Sequence, residues 1–306
     1  MRIPFEAKAA VHWTKDREDK LTSGKNLLLK PSNAAWLLRV IGLLNADASM
    51  AADNTRKFLQ INHMLTLLKP QLEDLAARHQ PVRVFDACCG NSYLTFLVAW
   101  LFHDAWKKPC FILGVDRNDK VIARSTARAE ELGYSEFLSF AADAVGDDTW
   151  TKHVPGGERP HLLLALHACD TATDFAIAAG IKAKADVIAT APCCHAELAQ
   201  KWKDLGAAAK DHPFSPVFRT PNLRRETAAQ LTDAMRFLLL RSRGYEVTAT
   251  EFVPSDHTPK NRLLLAERRG NFLAAAATEH QALKAALGDQ AIKLEELLHD
   301  GAAAGG

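Results

Sequence analysis

Two short stretches of this chain concentrate side chains that can ligate, attack or take protons: Leu166-His167-Ala168-Cys169-Asp170 and Thr190-Ala191-Pro192-Cys193-Cys194-His195. Imidazole and thiolate are both zinc-ligand types. No C-x-x-C pair is present, however, and adjacent Cys193 and Cys194 are awkward for one tetrahedral ion, so no metal is expected. A thiol here could act as a covalent nucleophile if His167 or His195 lowered its pKa. The cysteines could also simply pack beneath a site as small apolar groups, the natural reading of Cys89 and Cys110. The favoured reading makes Pro192 to His195 the floor of an acceptor pocket, with His167 or His195 as base or orienting group. His167, Cys193, Cys194 and His195 are therefore the catalytic candidates.

A second set of residues is acidic and small. Asp86-Ala87-Cys88-Cys89-Gly90-Asn91-Ser92-Tyr93-Leu94 puts small residues where backbone can approach a ligand, just ahead of a helix N-terminus with unpaired N–H groups. Its single glycine makes it a poor pyrophosphate cradle beside G-x-G-x-x-G. Asp116, followed by Arg117, can accept hydrogen bonds from both hydroxyls of a ribose. Asp143-Ala144 suits an adenine amino group. Each acid alone could be a helix cap or a solvated turn. Acids or glycine at three successive strand ends argue together for a nucleoside-bearing ligand.

The elements that would hold these residues alternate between strand and helix. Strands are expected at Val82–Asp86, Cys110–Asp116, Phe137–Ala141, His161–His167 and Asp186–Ala191, the fourth a continuous apolar run as in a strand covered on both faces. A helix should start near Tyr93, capped by Asn91 or Ser92, and another at Asp119 as cap, ending at Gly133. Upstream, Phe58, Ile61, Leu65, Leu68, Leu72 and Leu75 recur at helical spacing, with Pro70 expected to kink or split that helix. Residues 205–225 read as a long loop, followed by a helix over 226–243. Two strands, Tyr245–Val253 and Arg262–Arg268, then follow with no helix between them, and would form an antiparallel hairpin at one edge. From Phe272 onward the composition predicts a single helical tail ending in a floppy Gly301–Gly306. The fold expected is α/β: a doubly wound, seven-stranded, mostly parallel Rossmann-like sheet with an N-terminal helical extension. Its domains would be residues 1–80 (helical extension), 81–270 (catalytic) and 271–306 (tail).

The bulk numbers are compatible with this. With 306 residues, 48% of them hydrophobic, the chain can build a large core without disulfides or metals. A net charge of +2 excludes a chain-wide field for nucleic acid, so any basic surface must be local. The charged start and the lack of a bilayer-length apolar run predict a cytoplasmic protein without membrane contact.

Asp86-x-Cys88-x-Gly90-x-Ser92-x-Leu94, Gly114-Val115-Asp116, Leu166-His167-Ala168-Cys169-Asp170 and Pro192-Cys193-Cys194-His195 together resemble one class I methyltransferase domain family. It includes tRNA ribose 2′-O-methyltransferases and the methyltransferase domain of glutathione S-transferase C-terminal-domain-containing protein. The resemblance covers about residues 53–200, with Lys57-x-x-Gln60 also fitting; Asp170 stands where many members carry Gly. It implies an enzyme using S-adenosyl-L-methionine, whose sulfonium needs no phosphate cradle. Asp86, Cys88, Gly90, Asn91, Ser92, Leu94, Asp116, Arg117, Asp143, Ala144 and His167 become the cofactor candidates.

RNA, tRNA or rRNA, is the expected acceptor and partner. Lys57, Gln60, Arg219, Arg224, Arg225 and Lys260 are the substrate-binding candidates, with His212, Phe214 and Phe218 placed to stack on an unpaired base. A protein or small-molecule acceptor, or a non-catalytic cofactor-binding module, are the alternatives. Pro192-Cys193 is also similar to RNA cytosine C5-methyltransferases, which use a cysteine adduct. The other motifs favour direct in-line transfer, in which alignment does most of the work.

Overall fold

A computed structural model describes residues 2–146, 148–154, 156–166, 168–206, 209–251 and 262–300. Its strands are β1 (Val82–Ala87), β2 (Cys110–Asp116), β3 (Leu138–Ala142), β4 (Leu162–Ala165), β5 (Val187–Thr190), β6 (Tyr245–Glu251) and β7 (Arg262–Arg268). They form one mostly parallel sheet in the order β3-β2-β1-β4-β5-β7-β6. β7 lies antiparallel to both β5 and β6, as expected of a terminal hairpin. β4 and β5 are buried at every residue, which is why the fourth strand reads as an uninterrupted apolar run. Their register pairs Ala165 with Thr190, so the two cysteine-bearing loops leave the sheet side by side.

The chain forms two compact units, Met1–Val84 with Gly90–Ala142, and Phe85–Cys89 with Asp143–Gly306. The first unit carries α1 (Arg2–His12), α2 (Lys15–Thr22), α3 (Pro31–Val40), α4 (Ala52–Arg78), α5 (Tyr93–Trp100) and α6 (Asp119–Leu132); a π-helical turn, Leu101–Ala105, extends α5. α4 is not split at Pro70. An interior proline costs about 3 kcal/mol, but burying one leucine returns roughly 1.5–3 kcal/mol. Phe58, Leu65, Leu68, Leu72 and Leu75 are all fully buried on both sides of the proline, so packing prevails. The cap of α6 is Asn118 rather than Asp119: its Oδ1 accepts the N–H groups of Lys120 and Val121. Gly133 closes that helix at φ 75°.

The second unit carries α7 (Thr149–His153), α8 (Thr171–Lys182), α9 (Glu197–Leu205), α10 (Ser215–Arg219), α11 (Pro221–Ser242), α12 (Ala274–Ala286) and α13 (Lys293–Asp300). The expected loop over 205–225 is therefore partly helical, and α11 begins at Pro221, with Thr220 before it and proline at the first helical position. The expected single tail helix is broken at Gly288, whose φ of 78° no helix continues. The end of the expected sixth strand and Gly301–Gly306 lie outside the described residues. No helix among the described residues is long and apolar enough to cross a membrane.

Candidate functional site

In the first unit the turn between β1 and α5 and the end of β2 meet through one carboxylate. Asp116 Oδ2 accepts the Gly90 N–H at 3.0 Å, and Oδ1 accepts the Asn118 N–H at 2.9 Å. Cys88, Gly90 and Ser92 have φ of 60°, 53° and 58°, so the turn coils tightly before α5 begins. Ser92 occupies the cap position of α5 without capping it: its buried hydroxyl pairs with Ser125 Oγ at 3.0 Å. Asn91 is exposed and its Oδ1 accepts from Arg124. Leu94 is buried and Arg117 exposed. Lys57 Nζ lies 5.0 Å from the ring centroid of Tyr93, and Gln60 is exposed one turn along α4.

In the second unit Asp86 is buried within β1. Asp143 accepts on Oδ2 from Lys152 Nζ at 2.5 Å and His153 Nε2 at 2.8 Å, and on Oδ1 from the Ala144 N–H at 2.8 Å. The Lys152 hydrogen bond, then that of His153, holds its carboxyl well below the usual range.

The loops after β4 and β5 bring three thiols together. Cys169 Sγ lies 2.9 Å from Cys193 Sγ, and Cys193 Sγ 3.8 Å from Cys194 Sγ. Both separations exceed a disulfide bond. Burial, then the hydrogen bond with Cys169, pushes the Cys193 thiol up to about 12. Cys89 and Cys110 are buried, and burial raises the Cys110 thiol to about 12.

Beside the thiols, His195 Nε2 donates to Asp233 Oδ1 at 2.8 Å. Asp233 also receives Arg236 Nη1 at 3.3 Å and Arg262 Nη1 at 3.0 Å. Burial raises the Asp233 carboxyl, but the His195 hydrogen bond and the charges of His195, Arg236 and Arg262 outweigh it and leave it below its ordinary value. Arg236 is itself wholly buried and grips Asp174 with two hydrogen bonds, Nε to Oδ1 at 2.8 Å and Nη2 to Oδ2 at 2.9 Å. It also donates to the Asp170 carbonyl at 2.9 Å.

Asp170 has φ 51° and ψ −122°, backbone that favours glycine. Here the carboxylate compensates for a strain of about 1–3 kcal/mol. Its Oδ1 accepts the N–H groups of Ala196 at 2.9 Å and Glu197 at 3.1 Å, satisfying the start of α9, while its own N–H donates to the Cys194 carbonyl at 3.2 Å.

Asp233 and Arg236 were not singled out from sequence. The available signal was Asp233 and Arg236 one turn apart on the α11 face that also buries Met235, Leu239 and Leu240. The expected aromatic platform is corrected: Phe218 is fully buried, with ring centroids 5.0 Å from Trp202 and 4.9 Å from His212, and it is not open to a base. Arg219, Arg224 and Arg225 donate to the Ser215 carbonyl, the Phe218 carbonyl and Asn222 Oδ1 respectively, all uncharged acceptors. His167 and Lys260 lie outside the described residues.

Residues 56–201 match a family described as a methyltransferase domain. The glutathione S-transferase C-terminal domain-containing protein homolog of Drosophila melanogaster is 27% identical over 224 residues, covering 64% of this chain and 36% of that protein. The Homo sapiens glutathione S-transferase C-terminal domain-containing protein is 23% identical over 250 residues, 75% of this chain and 36% of that one. The chain thus spans about a third of the length of these curated relatives. A solved structure of an S-adenosylhomocysteine-bound methyltransferase from Podospora anserina is similar at a TM-score of 0.44 and 11% identity, over 84% of this chain and 97% of that one. Residues 56–201 of this chain thus match a methyltransferase domain, and they lie on a sheet of the order β3-β2-β1-β4-β5-β7-β6.

Proposed function

We propose that this chain is an S-adenosylmethionine-dependent methyltransferase that methylates RNA by direct in-line displacement, with His195 as proton acceptor. The observation that carries the RNA assignment is the trio Arg219, Arg224 and Arg225. None has a carboxylate partner among the described residues, which leaves three cations at the α10–α11 junction for phosphates.

Within each unit, acceptor atoms of the expected chemistry support the cofactor reading. Each Asp116 oxygen spends one lone pair on a backbone N–H and keeps another for a ribose hydroxyl. Among the described residues Asp143 Oδ1 accepts from Ala144, which leaves a lone pair for an adenine amino group. When bound, S-adenosylmethionine supplies a methyl carbon made electrophilic by its sulfonium. Ionised Asp233 requires a hydrogen on His195 Nε2, so the neutral imidazole offers Nδ1 as the base. Nδ1 is buried and has no hydrogen-bond partner among the described residues. As the acceptor's lone pair bonds to the methyl carbon, its proton passes to Nδ1 and Asp233 stabilises the imidazolium.

The test is incubation with tritiated cofactor and separate pools of total RNA and total protein. Nuclease-sensitive label in the RNA pool is expected. Label confined to protein or small molecules would overturn the RNA assignment, and copurified cofactor with no transfer would make the chain a binding module.

A further inference from the structure

The two loops that follow β4 and β5 converge on Cys169, Cys193 and Cys194, whose sulfurs all lie within 4.8 Å of one another. Four sulfurs around zinc, with Zn–S of about 2.3 Å, are separated by about 3.8 Å along each tetrahedral edge. Cys193 and Cys194 stand at 3.8 Å, so adjacency in sequence is no obstacle to one ion using both. Cys169 is too close to Cys193, at 2.9 Å, and would have to withdraw by about 0.9 Å to reach the same edge. Cys169 is exposed, whereas Cys193 and Cys194 are half-buried.

The loops are also fastened independently of the sulfurs. Asp170, next to Cys169, donates its N–H to the Cys194 carbonyl and accepts the N–H groups of Ala196 and Glu197 on its carboxylate. Arg236 then fixes Asp170 by its carbonyl from within the core. Three soft donors held on braced loops form a ligand set prepared before the ion arrives. A Cys169–Cys193 disulfide would leave Cys194 without a part, whereas a single ion uses all three.

We infer that Cys169, Cys193 and Cys194 form a zinc site, with three thiolates on one face of the ion and its fourth position open on the side of exposed Cys169. Binding releases three thiol protons, and a water completes the tetrahedron. This inference stands apart from the RNA assignment, because the site would exist whatever the acceptor.

The test uses the full chain, purified without oxygen in a thiol-free reductant, equilibrated with zinc and gel-filtered. Elemental analysis should find one zinc per chain, reduced about tenfold or more in the Cys169→Ser, Cys194→Ser double variant. Wild-type protein gives a second measurement that does not depend on the variant folding. Bound zinc should slow alkylation at Cys169, Cys193 and Cys194 and leave Cys88 unaffected, as mapped by mass spectrometry, and a chelator should restore the rate. Negligible zinc, undiminished zinc in a folded double variant, unprotected thiols, or a Cys169–Cys193 disulfide persisting in the zinc-equilibrated protein would each overturn the assignment.

Discussion

Asp233 Oδ1 and His195 Nε2 stand 2.8 Å apart, joining α11 to the loop after β5 across 38 residues of sequence. An ionised carboxylate can only accept, so with Asp233 ionised the imidazole Nε2–H is the donor. His195→Ala should lower kcat by roughly 10²–10⁴ while leaving cofactor affinity within about twofold, since proton transfer is lost and binding is not. Steady-state kinetics paired with calorimetry of cofactor binding reads both quantities. Wild-type kcat in the variant would remove His195 from the chemistry.

The same carboxylate predicts an acid limit to stability. A carboxyl whose folded pKa lies below its unfolded value of about 3.9 stabilises fully above that value and loses this contribution as pH falls through the folded pKa. Asp233 should therefore add no slope to thermal stability between pH 5 and 7. Below about pH 4 it should contribute to a fall that Asp233→Asn largely lacks. At neutral pH that variant should be less stable by about 3–5 kcal/mol, because Arg236 is left buried with one fewer anion. Melting curves of both proteins from pH 3 to 7 test this, and parallel curves would exclude Asp233 as the group responsible.

Asp116 is predicted to serve two purposes, holding the Gly90 turn and receiving the ribose. Asp116→Ala should weaken cofactor binding by about 2–3 kcal/mol through loss of charge-assisted hydrogen bonds. Asp116→Asn, which keeps one oxygen, should lose less. Calorimetric titration that finds wild-type affinity in the alanine variant would place the ribose elsewhere.

Much of this architecture was legible because buried parallel strands announce themselves. Leu162–Ala165 and Val187–Ala189 are buried and wholly apolar, and the polar residues soon after them must then sit at strand ends. The ionic network was hidden for the opposite reason. Asp174, Asp233, Arg236 and Arg262 look like ordinary surface charges until three separate segments are superimposed, since apart from the Asp233–Arg236 contact within α11 their ion-pair partners here lie 29 to 62 residues away. Likewise Phe218 sits among basic residues in sequence yet turns inward onto Trp202, a choice made by tertiary packing alone. Pro221 did carry a signal, proline at a helix start, that the surrounding loop-like composition masked.

If the α10–α11 junction holds phosphates, RNA affinity should fall steeply with salt. Arg219 and Arg225 are exposed and make the informative pair, since Arg224 also braces the Phe218 carbonyl at 2.6 Å. Replacing both by Ala should make the slope of log K against log salt shallower by about 1.4–1.8, or roughly 0.7–0.9 per lost contact. Fluorescence anisotropy with labelled substrate RNA at several salt concentrations measures it. An unchanged slope would move the RNA path off this junction.

The last prediction separates direct transfer from a covalent route through Cys193. Methylation at C5 of cytosine needs a thiolate to add to the ring first, because that carbon is too weakly nucleophilic unaided. A hydroxyl or exocyclic nitrogen needs alignment and a base, which the His195–Asp233 pair can provide. Cys193 is badly placed for the covalent role. As a thiol it is raised to about 12 by burial and by its bond with Cys169, so almost none is thiolate at neutral pH. As a zinc ligand its sulfur lone pair would already be engaged. RNA containing 5-fluorocytidine, which traps such adducts, should therefore give no denaturation-resistant complex with the protein on a gel, even with cofactor present. A stable complex that vanishes in Cys193→Ala would make Cys193 the nucleophile and remove direct displacement as the mechanism.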